Sequence, residues 1–158
     1  MQIKGIIDCD LVNYKKPCLT IEMPKCSFKC DKECGIQVCQ NSSLASAPTE
    51  EITILSILNY YMVNPITEAL CFQGLEPFDT FDEMLDLISD FRKLWPEDDI
   101  IIYTGYNKNE IQKEIDILKQ FKNIIIKFGR FIPNQNNRFD EVLGVTLSSD
   151  NQYAEVIS

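Results

Sequence analysis

Cysteine is the residue type that stands out in this chain of 158 residues, at Cys9, Cys18, Cys26, Cys30, Cys34, Cys39 and Cys71. Four of them crowd between Cys26 and Cys39, a density expected of a metal site rather than of a disulfide framework. There is no histidine, which excludes mixed Cys/His zinc sites and histidine-based proton transfer. Soft thiolates select zinc or iron–sulfur clusters. A closed zinc site would need all four cysteines, and their spacing lacks the tight Cys-x-x-Cys pairs usual in zinc ribbons. Three thiolates could instead hold a cubane and leave one iron open, as a catalytic metal keeps one position for substrate. Inert buried cysteines are the remaining alternative.

Composition narrows the setting. Hydrophobic residues make up 45%, and 15 Lys+Arg against 24 Asp+Glu give a net charge of −9. That is enough apolar material for one sizeable core, and the acidic balance argues against nucleic acid as a partner. No apolar run is long enough for a signal peptide or a membrane span, so no membrane association is expected and the cytoplasm is the expected location. With no internal repeat and no dividing linker, residues 1–158 are expected to form a single domain.

The elements that must position the cysteines follow from periodicity. Strands are predicted at Ile3–Ile7, Leu19–Met23, Ile66–Phe72, Ile100–Tyr103 and Ile124–Lys127. Helices are predicted after an N-cap at Thr49, over Thr80–Leu94 and over Asn109–Gln120. In the second helix Phe81, Met84, Leu85, Ile88, Phe91 and Leu94 are expected to face the core. The tail reads as irregular, with short strands near Val142–Thr146 and Tyr153–Ile157. Alternating strands and helices predict an α/β fold with a mostly parallel sheet, whose ligand sites lie beyond the carboxyl ends of the strands. The cysteine cluster, Gln73-Gly74-Leu75-Glu76-Pro77 and Thr104-Gly105-Tyr106 each follow a predicted strand and should share that rim.

These segments also carry a resemblance. Cys26-Ser27-Phe28-Lys29-Cys30 resembles the first half of the radical S-adenosylmethionine (SAM) signature. Cys39-Gln40-Asn41 is similar to its end in the activating proteins of anaerobic ribonucleotide reductases. Phe72-Gln73-Gly74-Leu75-Glu76-Pro77-Phe78 resembles that family's Gly-Gly-Glu-Pro segment, and Ile102-Tyr103-Thr104-Gly105-Tyr106 its Tyr-Thr-Gly-Tyr strand end. Gly129-Arg130-Phe131 and Ser148-Ser149-Asp150-Asn151-Gln152 resemble its late elements, so the matches run in order from about residue 19 to 153. Three departures stand against them: eight residues between Cys30 and Cys39, Leu75 in place of a second glycine, and Phe128 where an acidic residue is frequent.

The resemblance implies a partial (β/α) barrel binding a [4Fe–4S] cluster and SAM. It also implies a glycyl-radical enzyme, an anaerobic ribonucleotide reductase, as partner and a flavodoxin- or ferredoxin-type electron donor. A radical SAM enzyme acting on another peptide or small molecule, and a non-enzymatic zinc-binding interaction module, are the alternative readings. On the resemblance, Cys26, Cys30 and Cys39 are the cluster ligands. Cys39 is preferred to Cys34 because Gln40-Asn41 follows it and apolar Val38, expected near the adenine, precedes it. Charged Glu33 before Cys34 would sit badly beside a thiolate cluster. Gly74, Leu75, Glu76 and Thr104 are the expected SAM contacts, with Glu76 balancing the methionyl ammonium. Arg130 is expected either to pair with a carboxylate of SAM or of a partner tail, or to form a surface salt bridge. Cys9, Cys18 and Cys71 are expected to be packing residues.

Overall fold

Residues 1–158 are described by a computed structural model. In chain order the elements are β1 (Gln2–Ile3), β2 (Gly5–Asp10), β3 (Cys18–Met23), α1 (Lys29–Cys34), α2 (Ser42–Ser46), β4 (Glu50–Glu51), α3 (Ile54–Val63), β5 (Ala69–Gly74), α4 (Phe81–Leu94), β6 (Asp99–Tyr103), α5 (Gln112–Leu118), β7 (Ile124–Phe128), β8 (Arg138–Asp140), β9 (Val145–Leu147) and β10 (Tyr153–Val156). Single 3-10 turns at Pro77–Thr80 and Lys108–Glu110 precede α4 and α5.

One six-stranded sheet, ordered β10-β7-β6-β5-β3-β2, organises the molecule. β3, β5, β6 and β7 run parallel, and β2 and β10 close the two edges antiparallel. The fold is therefore mixed α/β with a largely parallel sheet, as the alternation predicts, and the sheet is open rather than a closed barrel. The parallel strands are buried on both faces, which explains their continuous apolar runs. On one face Leu70, Phe72, Ile100, Ile102, Ile124 and Ile126 pack with Met84, Leu87, Ile88 and Phe91 of α4. On the other, Cys18, Cys71, Ile101 and Ile125 are covered by Tyr14 and by Leu143, Leu147 and Ala154 from the tail. The tail is thus a structural layer, with β8 and β9 forming a hairpin.

Several boundaries differ from expectation for local reasons. The cap of α3 is Thr53, whose hydroxyl accepts from Ser56 N, and not Thr49. β5 starts at Ala69 because Asn64 forms a turn, its Oδ1 accepting from Ile66 N and its carbonyl from the Thr67 hydroxyl. The predicted helix over Asn109–Gln120 divides because Glu110 folds back to accept from Asn107 N at 2.8 Å. Leu94 lies at the exposed end of α4 and not in the core, whereas Leu87 is fully buried. Cys18 and Cys71 are packing residues, but Cys9 is exposed on edge strand β2.

The loop 11–17 crosses the tail-covered face and is pinned by Asp10. Its carboxylate accepts from Val12 N, Asn13 N, Asn13 Nδ2 and the Thr20 hydroxyl at 2.7–3.2 Å. Burial alone would raise the Asp10 pKa, but these hydrogen bonds outweigh it and hold it below the usual 3.8. A carboxyl group with a depressed folded pKa stabilises above its unfolded value, and that contribution disappears as pH falls through the folded value. Asp10→Ala should therefore lower the unfolding free energy at neutral pH by about 2–3 kcal/mol in urea titrations. The gap from wild type should shrink below about pH 4.

Candidate iron–sulfur and ligand site

At the carboxyl ends of the parallel strands lies a cavity of about 360 Å³, within the range of small-molecule sites. Cys26, Cys30 and Cys39 line it together with Gly74, Leu75, Glu76 and Thr104. Val38 and Cys34 do not. The three strand-end segments that the sequence places on one rim are thus brought together.

The cysteine segment reaches this rim through polar ties. Cys30 and Cys34 belong to α1, which follows Phe28 in a left-handed conformation at φ 51° and buries none of its residues. Before it, Ser27 N donates to Asp79 at 2.5 Å, and Glu76 N to the Lys25 carbonyl at 2.7 Å. After it, the Asp31 carboxylate accepts from Val38 N and Cys39 N, both at 2.8 Å. Asp31 thereby folds residues 32–37 into a closed loop and returns Cys39 to the cavity. Asn41 then donates through Nδ2 to the Gly74 carbonyl at 2.5 Å.

Gly74 has a positive φ of 87°, and a Cβ there would stand 2.8 Å from Leu44 Cδ2 and 3.2 Å from the Glu22 backbone. Only glycine meets both demands, of conformation and of space. At Gly105 a Cβ would lie 3.5 Å from Glu76 Oε2 and 3.6 Å from Cys30 Sγ. Glu76 and Cys30 therefore face each other across a glycine.

Glu76 is the buried acid of the site, 6% exposed. Its Oε1 accepts from the Thr104 hydroxyl at 2.7 Å and Phe78 N at 3.2 Å, and its Oε2 from Gly105 N at 2.9 Å. Burial pushes its pKa up to about 7, although the three hydrogen bonds pull it down. Cys26 is pushed up to about 11 by burial, although its sulfur accepts from Phe28 N at 3.2 Å. Burial also raises Cys30, opposed by a backbone hydrogen bond at Phe131 and by the charges of Arg130 and Lys127. Thiolate ligation of a cationic centre would compensate that burial and release protons.

Two residues differ in role from expectation. Arg130 is neither a surface residue nor free for a ligand. Its guanidinium forms two 2.7 Å hydrogen bonds with Glu110, and its Nε lies 3.1 Å from Glu33 Oε1 without hydrogen-bond alignment. Lys29 joins Glu110 at 3.2 Å and covers the Tyr106 ring at 4.1 Å, so this network fastens α1 to the sheet. Lys127 was legible only as the end of an apolar strand, yet it is 7% exposed and lines the cavity. Gln152 and Asn151 brace the same strand end by donating to the Gly129 and Arg130 carbonyls.

The donor set suits a cluster. Cys26, Cys30 and Cys39 line one cavity, their soft thiolates select iron–sulfur chemistry, and a cubane distributes its ligands over separate irons. The model of a 4Fe-4S single cluster domain matches residues 18–153, from the first parallel strand to the last edge strand. The chain belongs to this family. No curated protein and no solved structure matches it. The family accounts for the thiols at the rim, and no helix is long and apolar enough to cross a membrane.

Thr104→Val removes one of the hydrogen bonds that favour ionised Glu76. Glu76 should then titrate higher than about 7, by on the order of one unit, in a carboxyl-region infrared titration. An unchanged midpoint would mean that Thr104 does not hold the carboxylate.

Proposed function

We propose that this iron–sulfur protein is a radical SAM enzyme, in which Cys26, Cys30 and Cys39 hold the cluster and the adjoining cavity takes SAM. The observation that carries this reading is the meeting of three thiols and a buried carboxylate in one cavity at the strand ends. A reduced cluster held there would supply the one electron needed to cleave SAM to methionine and a 5′-deoxyadenosyl radical.

The chain's own residues have separable tasks. Cys26, Cys30 and Cys39 would hold the cluster through their thiolates, three protein ligands for four irons. Glu76, fixed by Thr104, Gly105 and Phe78, offers its carboxylate to the methionyl ammonium. Gly74 allows close approach of backbone on that side. The tail strands and loop 11–17, through Val12, Asn13 and Val145–Ser148, wall the opposite side and limit water around a reactive species. Asp31 positions Cys39, so the long insertion after Cys30 costs little.

The resemblance of five ordered segments supports a glycine of an anaerobic ribonucleotide reductase as hydrogen donor, with a flavodoxin- or ferredoxin-type protein supplying the electron in the cytoplasm. Anaerobically reconstituted protein given dithionite and SAM should release 5′-deoxyadenosine. Alanine at Cys26, Cys30 or Cys39 should abolish product and cluster, while Cys34→Ala should retain most of both. Cluster-loaded protein that forms no 5′-deoxyadenosine would refute the enzymatic reading. Loss of iron in Cys34→Ala but not in Cys39→Ala would reassign the third ligand.

A further inference from the structure

Arg130 is a buried cation fixed beside Cys30. Gly129, at φ 100°, turns the chain past the end of β7, and Asn151 Nδ2 holds the Arg130 carbonyl at 2.9 Å. The Arg130 side chain is 6% exposed, and Glu110 grips its two terminal nitrogens at 2.7 Å each. Arg130 Cγ and Cys30 Sγ close on the same point, lying 3.9 and 3.6 Å from where a Gly105 Cβ would stand. Phe131, the next residue, offers its backbone amide to the Cys30 sulfur. The Arg130 Nε proton is buried and finds no acceptor in the protein. An orphaned donor of this kind is costly unless a group bound at that place accepts from it.

The charges around it do not cancel at Cys30. Its carboxylate partners are more exposed, Glu110 at 27% and Glu33 at 61%, so water screens them more strongly than the guanidinium. Lys29 shares Glu110 at 3.2 Å and adds a second positive charge on that flank. Lys127 is the other cation that acts on Cys30. Burial lowers it to about 8, whereas a guanidinium keeps its proton throughout. Glu76 and Asp79 place negative charge near Cys26, within a chain of net charge −9. One electron from a flavodoxin- or ferredoxin-type donor would make a bound cluster more negative by one unit charge, with no bond formed or broken. A fixed positive charge beside one of its thiolates favours that reduced form.

We propose that Arg130 raises the reduction potential of the cluster, through its permanent charge beside Cys30 and its unclaimed Nε–H. The assignment rests on Cys30 being a cluster ligand. Glu110 holds the guanidinium in place, but its own negative charge lowers the same potential. The Gly129-Arg130-Phe131 segment thereby bears on electron transfer, besides fastening α1 to the sheet.

The test is an anaerobic redox titration of cluster-loaded protein, comparing wild type, Arg130→Met and Glu110→Gln. Dithionite is the reductant, and iron content and thermal midpoint are read on the same samples. At the potential that half-reduces wild type, the ratio of reduced to oxidised cluster should fall about tenfold in Arg130→Met. For a one-electron couple that is a midpoint lower by about 59 mV. The same ratio should rise about threefold in Glu110→Gln, because an anion is removed while the arginine stays. Mere loosening of α1 would move both variants the same way, so the opposite signs identify the charge. An unchanged midpoint in Arg130→Met, or equal-signed shifts in the two variants, would overturn the assignment and leave the cluster reading intact. Cys30→Ala that keeps all its iron would overturn the ligand reading and the assignment with it. Wild type that takes up no cluster would overturn the cluster reading and the assignment together. Should Arg130→Met fail to fold, Arg130→Gln carries the same comparison with the same outcomes.

Discussion

The cysteine segment has almost nothing apolar with which to pack, and the rest of the site depends on how that is overcome. Neither α1 nor α2 buries a single residue. The hydrophobic effect that fixes β3, β5, β6 and β7 cannot fix this segment. Directional polar contacts do so instead: Asp79 at its start, Asp31 within it, Gly74 at its end, and the Lys29–Glu110–Arg130 network along its flank. Each contact is modest on its own, and a buried bidentate arginine pair is worth more than an exposed one. Together they hold three thiols on one rim before any cluster is bound. Metal binding then adds its own free energy to a segment already restrained.

The rim itself is fixed by strand register. Tyr103 pairs with Lys127, and Glu22 with Gln73, so the side chains that end the parallel strands lie side by side. The apolar strands can support buried charge at their ends because their backbone groups are satisfied within the sheet. Glu76 and Lys127 are both shifted toward neutrality by burial, to about 7 and about 8. Such opposed shifts in one cavity are characteristic of functional sites.

Much of this was legible from the amino-acid sequence. Periodicity locates the parallel strands to within a few residues because continuous apolar runs such as Ile100–Ile102 and Ile124–Ile126 admit no other burial. The positions after those strands mark the rim, and Gly74, Leu75, Glu76 and Thr104 all reach it. What sequence patterns miss is whatever a distant segment decides. Leu94 falls on the correct helical face but beyond the reach of the sheet. Thr53 displaces Thr49 because β4 must first pair with β1. Cys9 sits in an apolar run, yet its strand is an edge. Arg130 reads as surface because its partners Glu33 and Glu110 are far away in the chain. Lys127 is hidden for the same reason, since a charged residue ending a strand usually faces water. Asp31 carries no motif at all, and its role emerges only when Cys39 is seen to return.

The proposed cluster is held by three thiolates, with one iron free of protein ligands. The most direct measurement is Mössbauer spectroscopy after mild oxidation of the natural-abundance cluster and reloading with iron-57. If three cysteines ligate the cubane, one iron is labile and about a quarter of the iron should become labelled. Adding SAM should then alter the isomer shift and quadrupole splitting of that labelled iron. A cluster that takes up no label, with all four irons equivalent and indifferent to SAM, would mean that a fourth cysteine closes it, and would contradict the account.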